Sequence, residues 1–260
     1  MTQRAVVSLG VAASIGPDVA AQLAPLVEEA GFHALWVNDT PGADALTVLE
    51  AAAHTTRRLT LATGVLPVDR RSAAEIAAHV KAARLPQDRL VLGIGSGQAK
   101  NGVLDLVRDA GGELRAALAA PVLVGALGPK MRRLAVEETD GVLLSWLTPD
   151  AGRAQAAQAR RLRPDTHVAL YVRTAVDPAA HERLRAETAV YAGFPSYAAN
   201  FARLGIDPDD TVLDAATHDL ATRLSEYRRG VDEVVLRAIT VGDGFEDYRR
   251  FIEGARQLLD

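Results

Sequence analysis

The chain has 260 residues, 29 Lys and Arg against 33 Asp and Glu, a net charge of −4 and no cysteine. No basic tract exceeds pairs such as Arg132-Arg133 and Arg160-Arg161, which argues against a nucleic-acid partner, and the lack of Cys removes disulfides, thiol nucleophiles and cysteine-ligated metals and fits either a cytoplasmic setting, the one expected here, or indifference to redox state. With 48% hydrophobic and 24% charged residues the composition is that of a folded globular chain, and no apolar run approaches the roughly 18 residues of a membrane span.

In chain order, apolar runs that read as strands occupy 5–11, 34–38, 59–66, 90–94, 121–126, 141–147, 167–176 and 233–241. They are rich in Val, Leu and Ile and mostly continuous, the pattern of strands buried on both faces. The first is read as a strand and not a signal peptide, because Pro17 and Asp18 follow it closely. Helical spacing fills the gaps at 18–30, 43–57, 72–85, 101–119, 130–139, 149–162, 216–230 and 244–259. Strict alternation repeated eight times predicts a parallel (β/α)₈ barrel, a TIM barrel, as a single domain over residues 1–260. One interval, 177–231, exceeds a single crossover and predicts an enlarged helical connection between strands 7 and 8. Its cluster Tyr191, Phe194, Tyr197 and Phe201 reads as local packing, with an oligomer contact as the alternative.

The densest stretch is PVLVGALGPKMRRLAVEETDGVLLSWLTP, residues 121–149. It reads as strand, glycine loop, helix opened by Pro129 at its first position, Gly141 turn and strand. A glycine-lined helix N-terminus at the end of a parallel strand offers free N–H groups and a positive dipole to a phosphate.

In a barrel the loops after the strands carry the chemistry. The GIGSG run at 93–97 is not G-x-G-x-x-G and opens no Rossmann half. Its glycines either turn the chain or form a nest of amides for a ligand. None of the six histidines pairs at metal-ligand spacing, so no metal centre is expected. Asp39 ends a buried apolar strand, where a carboxylate is costly unless it is used. It either caps the following turn or helix, or moves a proton or orients substrate at the barrel mouth. Trp36 and Trp146 read as core.

Four segments together, LVEEAGFHALWVND (26–39), AAAHTTRRLTLATGVLPVDRRSAAEIA (51–77), RLVLGIGSG (89–97) and 121–149, resemble the bacterial-luciferase-like flavin and deazaflavin oxidoreductases. The likeness is strongest to the branch similar to methylenetetrahydromethanopterin reductase. The resemblance implies a TIM barrel binding coenzyme F420, or FMN, at its C-terminal mouth, and hydride transfer to or from a small organic substrate. It implies a bulge with a non-proline cis peptide at Gly64–Val65, which backs the cofactor ring. It also places cofactor phosphate near the loops of Gly95–Gly97 and Ala126–Lys130. The residues so assigned to the cofactor are Asp39, Thr63, Gly64, Val65, Gly95, Ser96, Gly97, Gly125, Ala126, Leu127, Gly128, Pro129 and Lys130, with Asp39 as the catalytic candidate. A homodimer is expected, with neither membrane nor nucleic acid as partner.

The chain departs from the family pattern in two places. Thr40 follows Asp39 where a histidine is frequent, which excludes proton transfer by an imidazole there, and the loop after strand 4 is short. A non-catalytic flavin- or F420-binding protein of the same fold is the alternative reading.

Overall fold

The structure is a computed structural model and describes residues 4–259. Eight parallel strands form the barrel: β1 Val6–Ala12, β2 Ala34–Asn38, β3 Thr60–Thr63, β4 Leu90–Gly95, β5 Val122–Gly125, β6 Gly141–Ser145, β7 His167–Ala175 and β8 Glu233–Ala238. Each pairs with its neighbours in order, and β8 closes on β1 from Val6 opposite Glu233 to Gly10 opposite Arg237. The helices of the outer ring are α1 Gly16–Glu29, α2 Ala45–Thr55, α3 Ala73–Ala82, α4 Val103–Ala117, α5 Pro129–Glu138 and α6 Pro149–Leu162. The enlarged seventh connection carries α7 His181–Gly193, α8 Pro195–Leu204 and α9 Leu220–Tyr227, and α10 Phe245–Arg256 ends the ring.

The predicted strand ends shift by a few residues. The third run, 59–66, is broken after Thr63 and resumes as Leu66–Pro67. Ala62 pairs with Val91 and Leu66 with Ile94, so β3 carries one residue more than β4 between these pairs. That surplus is a β-bulge, and it contains Gly64–Val65, whose peptide bond is cis, as the resemblance implied. The sixth run ends at Ser145, and Trp146 turns out of it with φ +55°. The helix expected at 101–119 starts at Val103, behind Gly102 in a left-handed conformation.

Each strand sends alternate residues to opposite sides. Outward faces, such as Leu9, Leu35, Leu61 and Leu92, meet the helices and are fully buried. Inward faces fill the lumen with Trp36, Ala62, Leu123, Leu143, Tyr171 and Val235. Helix starts are fixed by local chemistry. Ser72 and Glu75 form a reciprocal capping box on α3, Asp44 caps α2 and Thr148 caps α6 ahead of Pro149. α5 starts without such a cap, since Gly128 is its N-cap and supplies no side chain.

The four aromatics of the crossover divide. Tyr191, Tyr197 and Phe201 pack with Trp146 over the β6–β7 side of the mouth, which is local packing, while Phe194 remains 47% exposed.

Candidate active site at the barrel mouth

The two ends of the lumen differ in chemistry. At the base, Glu233 of β8 is buried and accepts hydrogen bonds from Ser8 Oγ at 2.5 Å, Trp36 Nε1 at 2.6 Å and His167 Nε2 at 3.1 Å. Burial would raise this carboxyl, but the three donors and the His167 charge outweigh it and hold it below its usual value. His167 responds in the opposite sense. Burial pulls the imidazole down, and the bond and charge of Glu233 carry it above its ordinary value. A cavity of about 310 Å³ opens below this cluster, on the face where the strands begin. In barrels of this kind that end serves stability.

The other end holds the strand termini singled out from sequence. Asp39 is half-buried at the end of β2. Its Oδ1 accepts from Ala45 N at 3.0 Å, at the start of α2, and its Oδ2 pairs with Arg70 at 2.8 Å. Burial raises its pKa against these two partners. Both carboxylate oxygens are thus engaged in holding the β2 and β3 loops together. Asn38, one residue earlier, donates through Nδ2 to Gly64 O at the bulge, while its Oδ1 is buried with no hydrogen-bond partner among the described residues.

The predicted cofactor residues lie along one arc of the mouth, from β3 to β5. Thr63 Oγ1 donates to Gly93 O at 2.9 Å, tying the edge of the bulge to β4. Val65 projects into the arc: a Cβ on Gly95 would lie 2.7 Å from Val65 Cγ2, and one on Gly125 would lie 3.0 Å from Val65 Cγ1. Glycine at both positions therefore makes room for the bulge. Gly128 is different, since a Cβ there would meet nothing within 4 Å. Ala126 is buried, Leu127 and Gly128 are half-buried, and Pro129 and Lys130 are exposed. Arg132, half-buried one turn into α5, donates to Leu127 O at 2.7 Å and fixes this loop.

The loop after β4 is already occupied by a side chain. Asp69 Oδ2 accepts from Gln98 N at 2.7 Å, and a Cβ on Gly97 would lie 1.8 Å from Asp69 Oδ1. The Gly97–Gln98 turn, which adopts positive φ at Gly97, thus takes an anion from its own chain. Sequence reading missed Asp69 because it stands in an exposed polar run beyond the bulge, with no motif around it.

The far side of the mouth, from β6 to β8, was largely missed. Arg173 is buried, with its guanidinium 4.3 Å from the Trp146 ring centroid and 4.7 Å from that of Tyr191, and it pairs with Glu187 Oε1 at 3.2 Å. Below it Tyr171 stands edge-to-face on Trp36, with ring centroids 6.1 Å apart, and its hydroxyl has no partner among the described residues. Arg237 on β8 is half-buried. Tyr171 and Arg237 were hidden inside apolar runs, where period alone does not say which residue faces the lumen.

No helix among the described residues is long and apolar enough to cross a membrane. Residues 4–103 match the family described as luciferase-like monooxygenase, and no curated protein sequence matches the chain. Solved structures match the fold across its whole length. The coenzyme F420-dependent tetrahydromethanopterin reductase of Methanopyrus kandleri is 17% identical, with 99% of each chain covered and a TM-score of 0.71. An F420-dependent secondary alcohol dehydrogenase, solved with an F420-acetone adduct, is 15% identical over 99% of this chain and 100% of that one, at 0.74. The FMN-bound oxygenating constituent of 3,6-diketocamphane monooxygenase, from Pseudomonas putida, is 13% identical over 99% and 98%, at 0.72. Residues 4–103 thus match the luciferase-like monooxygenase family, and the whole chain has the (β/α)₈ barrel fold of these solved structures, the fold that the resemblance in the sequence implied.

Proposed function

We propose that the protein is a flavin- or deazaflavin-dependent oxidoreductase that passes hydride between coenzyme F420, or FMN, and a small organic substrate. The observation that carries this reading is the arc from β3 to β5. There a glycine-backed bulge at Gly64–Val65 stands next to the start of α5, whose first N–H groups have no side-chain cap. Bound there, the ring would supply the hydride chemistry, and the protein would supply orientation and electrostatics.

The residues fit such a cofactor unevenly. At α5 the open space around Gly128 lets a phosphate approach the N–H groups of Lys130 and Met131, with the helix dipole and the Lys130 charge favouring it. Gly95, Gly125 and Ala126 present backbone to the ring, and Val65 with Thr63 backs it. At Gly97 the fit fails, because the Asp69 carboxylate already holds Gln98 N and would repel a phosphate. In this reading Ser96 and Gly97 border the cofactor, and the α5 loop takes its phosphate. F420 is favoured over FMN by the resemblance of residues 121–149.

Asp39 has a positioning role in this reading. Its engaged oxygens hold α2 and Arg70 at the rim. The same engagement favours the second reading, a non-catalytic cofactor-binding protein, since it leaves no free acid–base group at the end of β2. Equilibrium binding of F420 and FMN, side by side, tests the shared premise. Submicromolar binding of one of them, lost in Gly128→Val, is the expected result, and binding of neither refutes both readings. Reduction or oxidation of the bound cofactor with any substrate then separates enzyme from carrier.

A further inference from the structure

The β7–β8 side of the mouth is unused by the proposed cofactor arc, and its chemistry is of one sign. Arg173 and Arg237 are direct partners in the β7–β8 pairing, so both extend to the same side of the sheet. That side is the lumen, because Tyr171 and Val235, two residues before each, pack inside the barrel. Arg173 has its acid, Glu187. Arg237 has none: among the described residues no carboxylate lies within ion-pair distance of it, and its guanidinium donates to the carbonyl of Ala238. The acid on its own strand, Glu233, lies four residues earlier on β8 and is committed to Ser8, Trp36 and His167.

A second, independent feature points to a ligand. The Tyr171 hydroxyl is buried and has no partner. It reaches the level of the bulge, since a Cβ on Gly10 would lie 2.8 Å from it and one on Gly64 would lie 2.9 Å from it. Burial raises this phenol, and Arg237 and then Arg173 oppose the shift through their charges, which puts the three groups within electrostatic reach of one another. A buried hydroxyl normally finds a partner. Beside it, the Arg237 guanidinium on the lumen side of β8 has a carbonyl but no acid as partner. One oxyanion placed between them would answer both needs.

We propose that the upper lumen between β7 and β8 is a subsite for an oxyanion, so that the substrate of the proposed redox reaction carries a carboxylate or phosphate group held by Arg237 and the Tyr171 hydroxyl. Arg173, clamped by Trp146, Tyr191 and Glu187, is a positioning residue that adds positive field without releasing its own partner. The inference rests on the proposed function for the word substrate, but the anion subsite itself does not. The net charge of the whole chain is −4, so a positive lumen wall is a local feature that would select anions from a surface that otherwise repels them.

The test uses the full chain without cofactor, at fixed ionic strength, titrated with sodium acetate, inorganic phosphate and the neutral isostere acetamide. Heat of binding and indole fluorescence are the readouts, Trp146 lying against Arg173. We expect saturable binding of an anion, weaker binding of acetamide by at least tenfold, and a tighter anion that names the headgroup. Arg237→Gln should weaken that anion at least tenfold, Arg237→Lys less, and Tyr171→Phe about three- to tenfold, while Arg133→Gln on the outer face of α5 leaves it unchanged. Should Arg237→Gln fail to fold, Arg237→Lys and Tyr171→Phe carry the test. Acetamide binding as well as acetate, no saturable anion, or wild-type affinity in Tyr171→Phe together with Arg237→Gln or Arg237→Lys would overturn the subsite. Anion binding that depends on Arg237 in a protein that binds neither F420 nor FMN would keep the subsite and reject the redox reading. Cofactor binding without it would do the reverse.

Discussion

The base and the mouth of the lumen are built from the same eight strands, yet their polar groups are treated in opposite ways. At the base every polar group of the Glu233 cluster has a partner, and the surrounding face is mostly paired, with Arg163 Nε and Thr166 Oγ1 beside the start of β7 as its exceptions. Glu28 accepts from the N–H groups of Arg57, Arg58 and Leu59, and Arg89 donates to four acceptors at 53, 56 and 59. At the mouth Asn38 Oδ1, Thr40 Oγ1, Trp146 Nε1 and the Tyr171 hydroxyl are buried and unpaired among the described residues. Buried polar groups left unpaired cost stability, and four of them around one opening are a cost that folding alone does not explain.

The sharpest way to break this contrast is Glu233→Ala. It removes the acceptor for three donors and leaves a cavity, and we expect a loss of about 3 kcal/mol or more in urea unfolding. A loss below about 1 kcal/mol would mean the base is not the stability end. Gly128→Val acts at the other end. With φ −83° and nothing within 4 Å of its Cβ position, the fold should hold while cofactor affinity falls at least tenfold, which is about 1.4 kcal/mol. Unchanged affinity would move the phosphate away from α5.

Proton linkage sharpens the comparison further. The folded state raises the His167 pKa above its unfolded value of about 6.5, so the folded protein binds the proton more tightly. The stabilisation is complete below that unfolded value and is lost as pH rises through the folded one. Unfolding free energy measured from pH 6 upward should therefore decline, and His167→Gln should flatten that decline; an identical slope in the variant would remove His167 from the linkage.

Asp39→Asn is expected to be mild. Asn keeps an acceptor for Ala45 N and gives up the pair with a part-exposed Arg70, worth under about 1 kcal/mol, with cofactor affinity unchanged. A drop in turnover beyond tenfold at normal stability would instead give Asp39 a proton-transfer role. The smallest effect is foreseen for Tyr171→Phe, whose lost hydroxyl has no partner to abandon. Its stability should stay within about 0.5 kcal/mol of the parent, or rise, and a loss above 1.5 kcal/mol would show that the hydroxyl serves the fold.

How much of this was legible in the chain varies with the range of the interactions involved. Continuous apolar runs and Pro129 at a helix start set the order and type of elements, because buried parallel strands and helix ends are governed by local chemistry, whereas Gly141, expected at a turn, is the first residue of β6, where a Cβ would meet His167 O. The arc from β3 to β5 was readable for the same reason: glycines and a Gly-Pro helix start sit contiguously in 93–97 and 125–130. The barrel and the bulge at Gly64–Val65 were expected, but the register of β8 on β1 and the capture of the Gly97 turn by Asp69 were decided by tertiary structure alone. So was the meeting of Tyr171, Arg173 and Arg237. Within a strand such as 167–175 the sequence shows apolar character but not which alternate residues face the lumen, since a strand buried on both sides loses the alternation that would tell. Only the register between β7 and β8 puts two arginines, 64 positions apart, opposite one another at the mouth.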